Sequence, residues 1–197
     1  RGPVKNKPIV LRDGTWLAPA SIEGEYWDAF VDISVDTGKS WEVSQLVPID
    51  HRGFPGQGII QPTLWESAPA QVHMLLRSTA GWIYRSDSSD GGRTWRPIYP
   101  TSLPNNNSGI DLVRLQNGII VLVYNPVPKN WGERTPLVAS VSLDNGLTWP
   151  KTITLESGAG EFSYPAVIET ASGIAITYTW KRERIAYCTL DLDELKL

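Results

Sequence analysis

Short apolar runs broken by turn residues recur along the whole chain, and nowhere does an apolar stripe persist at helical spacing over several turns. Past the midpoint, Leu112-Val113-Arg114-Leu115, the turn Gln116-Asn117-Gly118 and Ile119-Ile120-Val121-Leu122-Val123-Tyr124 predict an apolar β-hairpin. Ile9-Val10-Leu11, Arg12-Asp13-Gly14 and Thr15-Trp16-Leu17 predict a second hairpin. Ala166-Val167-Ile168, Ala171-Ser172-Gly173 and Ile174-Ala175-Ile176-Thr177-Tyr178 predict a third. Pro62-Thr63-Leu64-Trp65 and Val72-His73-Met74-Leu75-Leu76 form another pair, joined by the looser segment 66–71. The pattern divides the chain into four antiparallel sheet units, about 8–50, 57–103, 107–157 and 161–192. The last has three strands and ends in Arg184-Ile185-Ala186-Tyr187-Cys188-Thr189-Leu190; only 190–195 offers a short helical turn. The prediction is an all-β chain, with residues 1–197 as a single partial domain.

A second periodicity runs through the first. Ser34-Val35-Asp36-Thr37-Gly38-Lys39-Ser40-Trp41, Ser88-Ser89-Asp90-Gly91-Gly92-Arg93-Thr94-Trp95 and Ser142-Leu143-Asp144-Asn145-Gly146-Leu147-Thr148-Trp149 share the pattern S-x-D-x-G-x-[ST]-W. Their aspartates stand at 36, 90 and 144, a constant spacing of 54. A period near 50 indicates a propeller or solenoid. Physically the box is a hairpin turn: Asp caps backbone N–H groups, Gly supplies positive φ, and Trp41, Trp95 and Trp149 pack beneath. It is expected to secure each sheet and to carry no chemistry.

These boxes are those of the bacterial neuraminidase repeat, and the chain resembles the sialidase-like BNR/Asp-box family. Lys5-Asn6-Lys7-Pro8, the run from Leu103 through Asn105, Asn106, Asn107, Ser108 and Gly109 to Asp111, Ser163-Tyr164-Pro165-Ala166 and Tyr178-Thr179-Trp180 extend the likeness over nearly the whole chain. The resemblance implies a six-bladed β-propeller, which at this repeat length needs about 320 residues. Four units therefore look like two-thirds of a ring. The resemblance also implies an Arg-Ile-Pro motif and an acid/base aspartate in earlier blades, and this sequence holds neither. An open propeller exposes strand edges and apolar faces, so a homodimer, or a partner supplying further blades, is expected.

Sialidase chemistry needs cations around a substrate carboxylate, for which the planar guanidinium fork is suited. By the resemblance, Arg77 stands at the second arginine of the family's triad and Arg134 at the third, while Tyr164 stands at the nucleophile. The position of the tyrosine-activating glutamate falls on Gln61, whose amide cannot accept the phenol proton. Glu161, three residues before Tyr164, is the alternative base if its loop folds back. Asn107 and Asp111, in the Asn-rich start of the third unit, suit sugar hydroxyls, and Arg182 suits an acidic group. Lys5, Asn6 and Lys7 open the first unit analogously. His73 alternates within an apolar strand and reads as structural; His51, on a loop, is a candidate base for a uronic-acid lyase or hydrolase. Two readings stay open: a glycosidase acting on acidic glycan termini, and a glycan-binding propeller or assembling remnant without turnover.

Composition narrows the partners. Eighteen basic against 21 acidic side chains give a formal charge of -3, which argues against nucleic acid and anionic membranes. Nine tryptophans suit a sugar-binding surface, though packing explains them as well. One cysteine, Cys188, excludes an intrachain disulfide, and two histidines leave no plausible zinc site, so no metal or cofactor is expected. No apolar stretch approaches the roughly 20 residues that span a bilayer. The start, Arg1 to Pro8, has no signal-peptide pattern and reads like the middle of a protein.

Overall fold

A computed structural model describes residues 5–196. It holds four antiparallel sheets, each a simple meander. The first comprises β1 (Ile9–Val10), β2 (Trp16–Glu23), β3 (Trp27–Ser34) and β4 (Glu42–Val43). The second comprises β5 (Ile59–Ala68), β6 (Gln71–Ser78), β7 (Trp82–Ser88) and β8 (Tyr99–Pro104). The third comprises β9 (Asp111–Arg114), β10 (Ile120–Tyr124), β11 (Leu137–Ser142) and β12 (Lys151–Glu156). The last has three strands, β13 (Phe162–Glu169), β14 (Gly173–Trp180) and β15 (Arg184–Asp191), followed by α1 (Leu192–Leu195).

The sheets group into two compact units, one ending at Leu103 and one beginning at Pro104. Within each, period-2 alternation decides what is buried. In the first unit, Ala29, Val31 and Ile33 of β3 and Leu17 of β2 meet Val72, Met74 and Leu76 of β6 and Leu64 of β5. In the second, Val121, Val123, Ala139 and Val141 meet Val167, Ile174, Ile176 and Tyr178. Each large aliphatic side chain buried this way contributes about 1.5–3 kcal/mol.

One turn is tighter than its sequence suggests. The segment 66–71, expected as a loose connection, is largely strand, and only Pro69 and Ala70 turn the chain. Glu66 explains it: Oε1 accepts the Ala70 N–H at 3.1 Å while Ala70 takes a left-handed φ of 61°. Its Oε2 accepts the Arg12 N–H at 2.9 Å, tying the hairpin of the first sheet to that of the second.

The three boxes share one hydrogen-bond pattern. In the first, the Ser34 hydroxyl donates to Asp36 Oδ1 at 2.8 Å and accepts from the Gly38 N–H at 2.8 Å. Asp36 Oδ1 also accepts from the Ser40 N–H, and Oδ2 from the Ser40 hydroxyl at 2.6 Å. Asp90 with Ser88 and Thr94, and Asp144 with Ser142 and Thr148, repeat it. The Ser40 hydroxyl and N–H hold the Asp36 carboxyl down at about 2. The tryptophans differ in cover: Trp95 is 5% exposed, Trp41 38%.

Candidate functional site

At the start of each sheet one residue other than glycine adopts left-handed backbone. These are Lys5 (φ 75°), Gln61 (52°), Asn107 (57°) and Tyr164 (52°), one per repeat. L-residues pay about 1 kcal/mol or more for this conformation, so it persists only where the surroundings impose it. In β5 the pairing register shifts between Ile60 and Thr63, and in β13 between Ser163 and Ala166. Gln61-Pro62 and Tyr164-Pro165 are thus lifted out of the ladder as bulges, a device that re-aims a side chain beside functional sites.

Buried asparagines fasten this region. Asn6 Nδ2 donates to the Gln61 and Pro62 carbonyls at 3.0 and 2.9 Å. In the second unit Asn125, fully buried at the end of β10, donates through Nδ2 to the Pro136 and Phe162 carbonyls at 2.8 and 2.9 Å. Phe162 N–H in turn donates to the Arg134 carbonyl at 2.8 Å. The segment carrying Arg134 and the strand carrying Tyr164 are therefore held to one clamp. Asn106 repeats the move on the Gly132 and Glu133 carbonyls at 3.4 and 2.6 Å.

In the first unit Arg77, at the end of β6 and 3% exposed, donates from Nη1 to Gln61 Oε1 at 3.0 Å. Lys5 Nζ donates to Asn6 Oδ1 at 2.9 Å, so the half-buried Lys5 and Gln61 join the buried Asn6 and Arg77 in one polar cluster. In the second unit the Arg134 guanidinium lies over the Tyr164 ring, 5.1 Å from its centroid, a cation–π arrangement. Among the described residues its one side-chain hydrogen bond is a long one, 3.5 Å to Ser163 Oγ. Arg134 lines an open cleft of about 590 Å³ together with Asn106, Trp131, Gly160, Glu161 and Arg182. Arg182 Nε donates to Glu161 Oε2 at 2.5 Å beside that cleft, and both side chains are exposed.

The remaining expected residues have these partners. Asp111 is buried, and its Oδ2 accepts the Val167 N–H at 2.9 Å, bracing β13. Asn107 is buried and donates to Asn130 Oδ1 at 3.0 Å. His51 Nε2 meets Asp28 Oδ1 at 2.8 Å and its ring stacks on Tyr26, 4.4 Å between centroids. His73 sits between Ser67 Oγ at 2.7 Å and Asp87 Oδ1 at 2.5 Å, with Arg85 and Tyr99 also on Asp87. Among the described residues no group of His, Cys, Asp and Glu is placed to hold a metal ion, and no helix is long and apolar enough to cross a membrane.

Sequence reasoning missed Trp131 and Asn125. Trp131 stands in an irregular stretch with no strand alternation, and Asn125 ends an apolar strand where a polar residue reads as loop. The double-carbonyl clamp has no sequence signature beyond an asparagine at a strand end.

Four meander sheets, three of them carrying a box between their third and fourth strands, define a propeller of the sialidase type, and solved structures share it. The Hadza microbial sialidase Hz136 superimposes with a TM-score of 0.82 at 18% identity, over 96% of this chain and 37% of its own. The NanB sialidase from Streptococcus pneumoniae gives 0.75 at 14%, over 96% and 31%. A leech intramolecular trans-sialidase complexed with 2,7-anhydro-Neu5Ac gives 0.72 at 16%, over 96% and 31%. The chain thus spans about a third of these proteins. No curated protein matches it in sequence. Residues 1–176 match the BNR repeat-like domain, and the chain belongs to that family.

Proposed function

We propose that this chain forms part of a sialidase-type glycosidase that takes acidic glycan termini, with Arg134 gripping the substrate carboxylate and Tyr164 beside it as nucleophile. The observation that carries the reading is Arg134: a guanidinium laid on Tyr164, lining a cleft, with a single long hydrogen bond among the described residues. A fork so placed fits a carboxylate through two parallel bonds. A neutral phenol also approaches an anomeric centre bearing a carboxylate with less repulsion than an anionic nucleophile. Arg182 supplies a further cation on the same cleft.

A second reading, binding without turnover, has its own support. Gln61 replaces a base with an amide already engaged by Arg77, and the Glu161 carboxylate is engaged by Arg182. One experiment separates the readings: affinity for 3′-sialyllactose beside hydrolysis of a fluorogenic sialoside. Arg134→Ala is expected to weaken binding about 100-fold, the scale of losing a buried charge-assisted pair. Tyr164→Phe is expected to abolish turnover while affinity changes less than threefold. Binding without turnover selects the second reading; no binding, or an Arg134→Ala variant that binds normally, removes both. The exposed Ile168, Ile185 and Tyr187 on the last sheet support association as a homodimer. Light scattering on the same preparation checks that, and a mass of 21.8 kDa excludes it.

A further inference from the structure

Toward the other end of the second sheet from Gln61 and Arg77, three side chains meet in a relay that the Arg134 cleft does not use. Ser67 Oγ lies 2.7 Å from His73 Nε2, and His73 Nδ1 lies 2.5 Å from Asp87 Oδ1. The three residues belong to β5, β6 and β7, neighbours in one sheet. The Asp87 carboxyl is held well below the ordinary carboxylate range: burial opposes the shift, but hydrogen bonds from His73 and Tyr99 and the charge of Arg85 outweigh it. An ionised carboxylate only accepts, so the ring proton stands on Nδ1 and Nε2 is left to accept the Ser67 hydroxyl proton. Hydroxyl, imidazole and carboxylate in that order are the means by which a serine is activated.

The surroundings fix this order. Arg85 Nε donates to Asp87 Oδ1 at 2.9 Å, with Nη2 3.0 Å from His73 Nδ1, and the Tyr99 hydroxyl donates to Oδ2 at 2.7 Å. The imidazole stacks on Trp65, 5.0 Å between centroids, and Arg85 lies over the same indole. His73 is 8% exposed and Arg85 4%, whereas Ser67 is half-buried and followed by the exposed Pro69 and Ala70. Ser67 also stands where the β5–β6 register shifts between Glu66 and Ala68, a bulge that turns a side chain out of the ladder. Arg12 Nη2 donates to the Ser67 carbonyl at 3.3 Å, which brings an exposed guanidinium beside the serine. A buried histidine needs a partner for each nitrogen; it does not need one of them to be a half-exposed hydroxyl on a bulge.

We propose that Ser67, His73 and Asp87 form a second catalytic site, an acyl-transfer triad acting on esters of short carboxylic acids. Ser67 Oγ attacks the ester carbonyl carbon while its proton passes to His73 Nε2, and the charge that builds on the carbonyl oxygen falls to Arg12. The ester C–O bond then breaks, and the departing alcohol oxygen takes the proton from His73. Water gives a proton to His73 and attacks the acyl carbon; Ser67 Oγ leaves, regains that proton, and the carboxylic acid is released. Small neighbours, Ala68, Pro69 and Ala70, leave the serine open to a short acyl group. The site shares no residue with the Arg134 cleft and stands independently of the reading given to that cleft.

The test uses the 197-residue chain with p-nitrophenyl acetate and with a fluorophosphonate, which phosphonylates an activated serine with loss of fluoride. One phosphonyl group per chain is expected, on the peptide carrying Ser67, and none in Ser67→Ala. Hydrolysis of the acetate ester should fall at least about 100-fold in Ser67→Ala. Asp87 acts through His73 and is a positioning residue, so Asp87→Asn should lower kcat about 100-fold with KM changed less than about threefold. Arg12→Ala should lower kcat about tenfold, as befits an exposed cation. An unlabelled chain, a label on another residue or a label retained by Ser67→Ala overturns the proposal. Peptide mapping of the unsubstituted chain decides this whether or not the variants fold. An Asp87→Asn variant with unchanged kcat overturns the triad by leaving the carboxylate out of it.

Discussion

Gln61 and Tyr164 occupy the same backbone device. Each has a φ of 52°, precedes a proline, lies in a bulge of the first strand of its sheet and has an arginine beside it. The chemistry differs. At Gln61 the arginine is buried and its Nη1 is satisfied by the amide at 3.0 Å. At Tyr164 the arginine rests on the ring and lines a cleft, with one bond of 3.5 Å. One position closes a polar cluster and the other opens one. The difference teaches that the strained backbone belongs to the repeat, whereas the function belongs to the side chain placed on it.

The largest effects should come from the clamps, because they serve both positions. Asn125→Ala strips the donor from the buried Phe162 carbonyl and the half-buried Pro136 carbonyl, at roughly 1–3 kcal/mol for each unpaired group. Chemical unfolding should show a loss of about 3 kcal/mol, and Asn6→Ala a similar one. A loss under 1 kcal/mol would mean that the bulges hold themselves. The next effect separates the bulge residues directly. Gln61→Leu leaves Arg77 without that acceptor and is expected to cost about 2 kcal/mol. Tyr164→Phe removes a hydroxyl that bonds no described residue and should stay within about 0.5 kcal/mol. Equal costs would erase the distinction between a closed and an open position.

The smallest effect lies in the boxes, one of which sits in the sheet of Gln61 and none in the sheet of Tyr164. The folded-state carboxyl of Asp36 sits near 2 against an ordinary 3.8, chiefly through Ser40, so folding favours its ionised form. Asp144 sits near 2 as well: burial opposes the shift, but the Thr148 hydroxyl and N–H outweigh it. That stabilisation is complete above pH 3.8 and is lost as pH falls through 2. An Asp36→Asn variant should show a flatter melting-temperature profile across that window, and an unchanged slope would remove the boxes from the acid response.

The sheets were legible because alternation and turns are local. The strands around Leu112, Ile120 and Val167 follow from residues within a few positions, and the 54-residue spacing repeats that information three times. The segment 66–71 was misjudged because its turn depends on Glu66, whose second oxygen reaches Arg12 in another sheet. Residue type singled out Arg134 and Tyr164, and the structure sets the one over the other, but their spacing of 30 residues gave no sign of that contact. Asp111 shows the limit: its carboxylate has the character of a ligand, and the structure spends it on the Val167 N–H. Nor does any local pattern show that Asn6 reaches across 55 residues to hold Gln61.

The clamps have a consequence on another timescale. Asn6 secures the bulge at Gln61 through main-chain carbonyls, and Asn125 secures the strand of Tyr164 the same way, so neither fastening depends on the bulge residue's own side chain. Glutamine and tyrosine already occupy the two bulges, each with the same φ. A lineage can therefore try new side chains at these positions by single substitutions, each arriving on a prepared backbone. Each fastening asparagine stands in the repeat before the position it holds, so duplicating a pair of adjacent repeats copies a socket together with its fastening and gives selection a further place to look for chemistry.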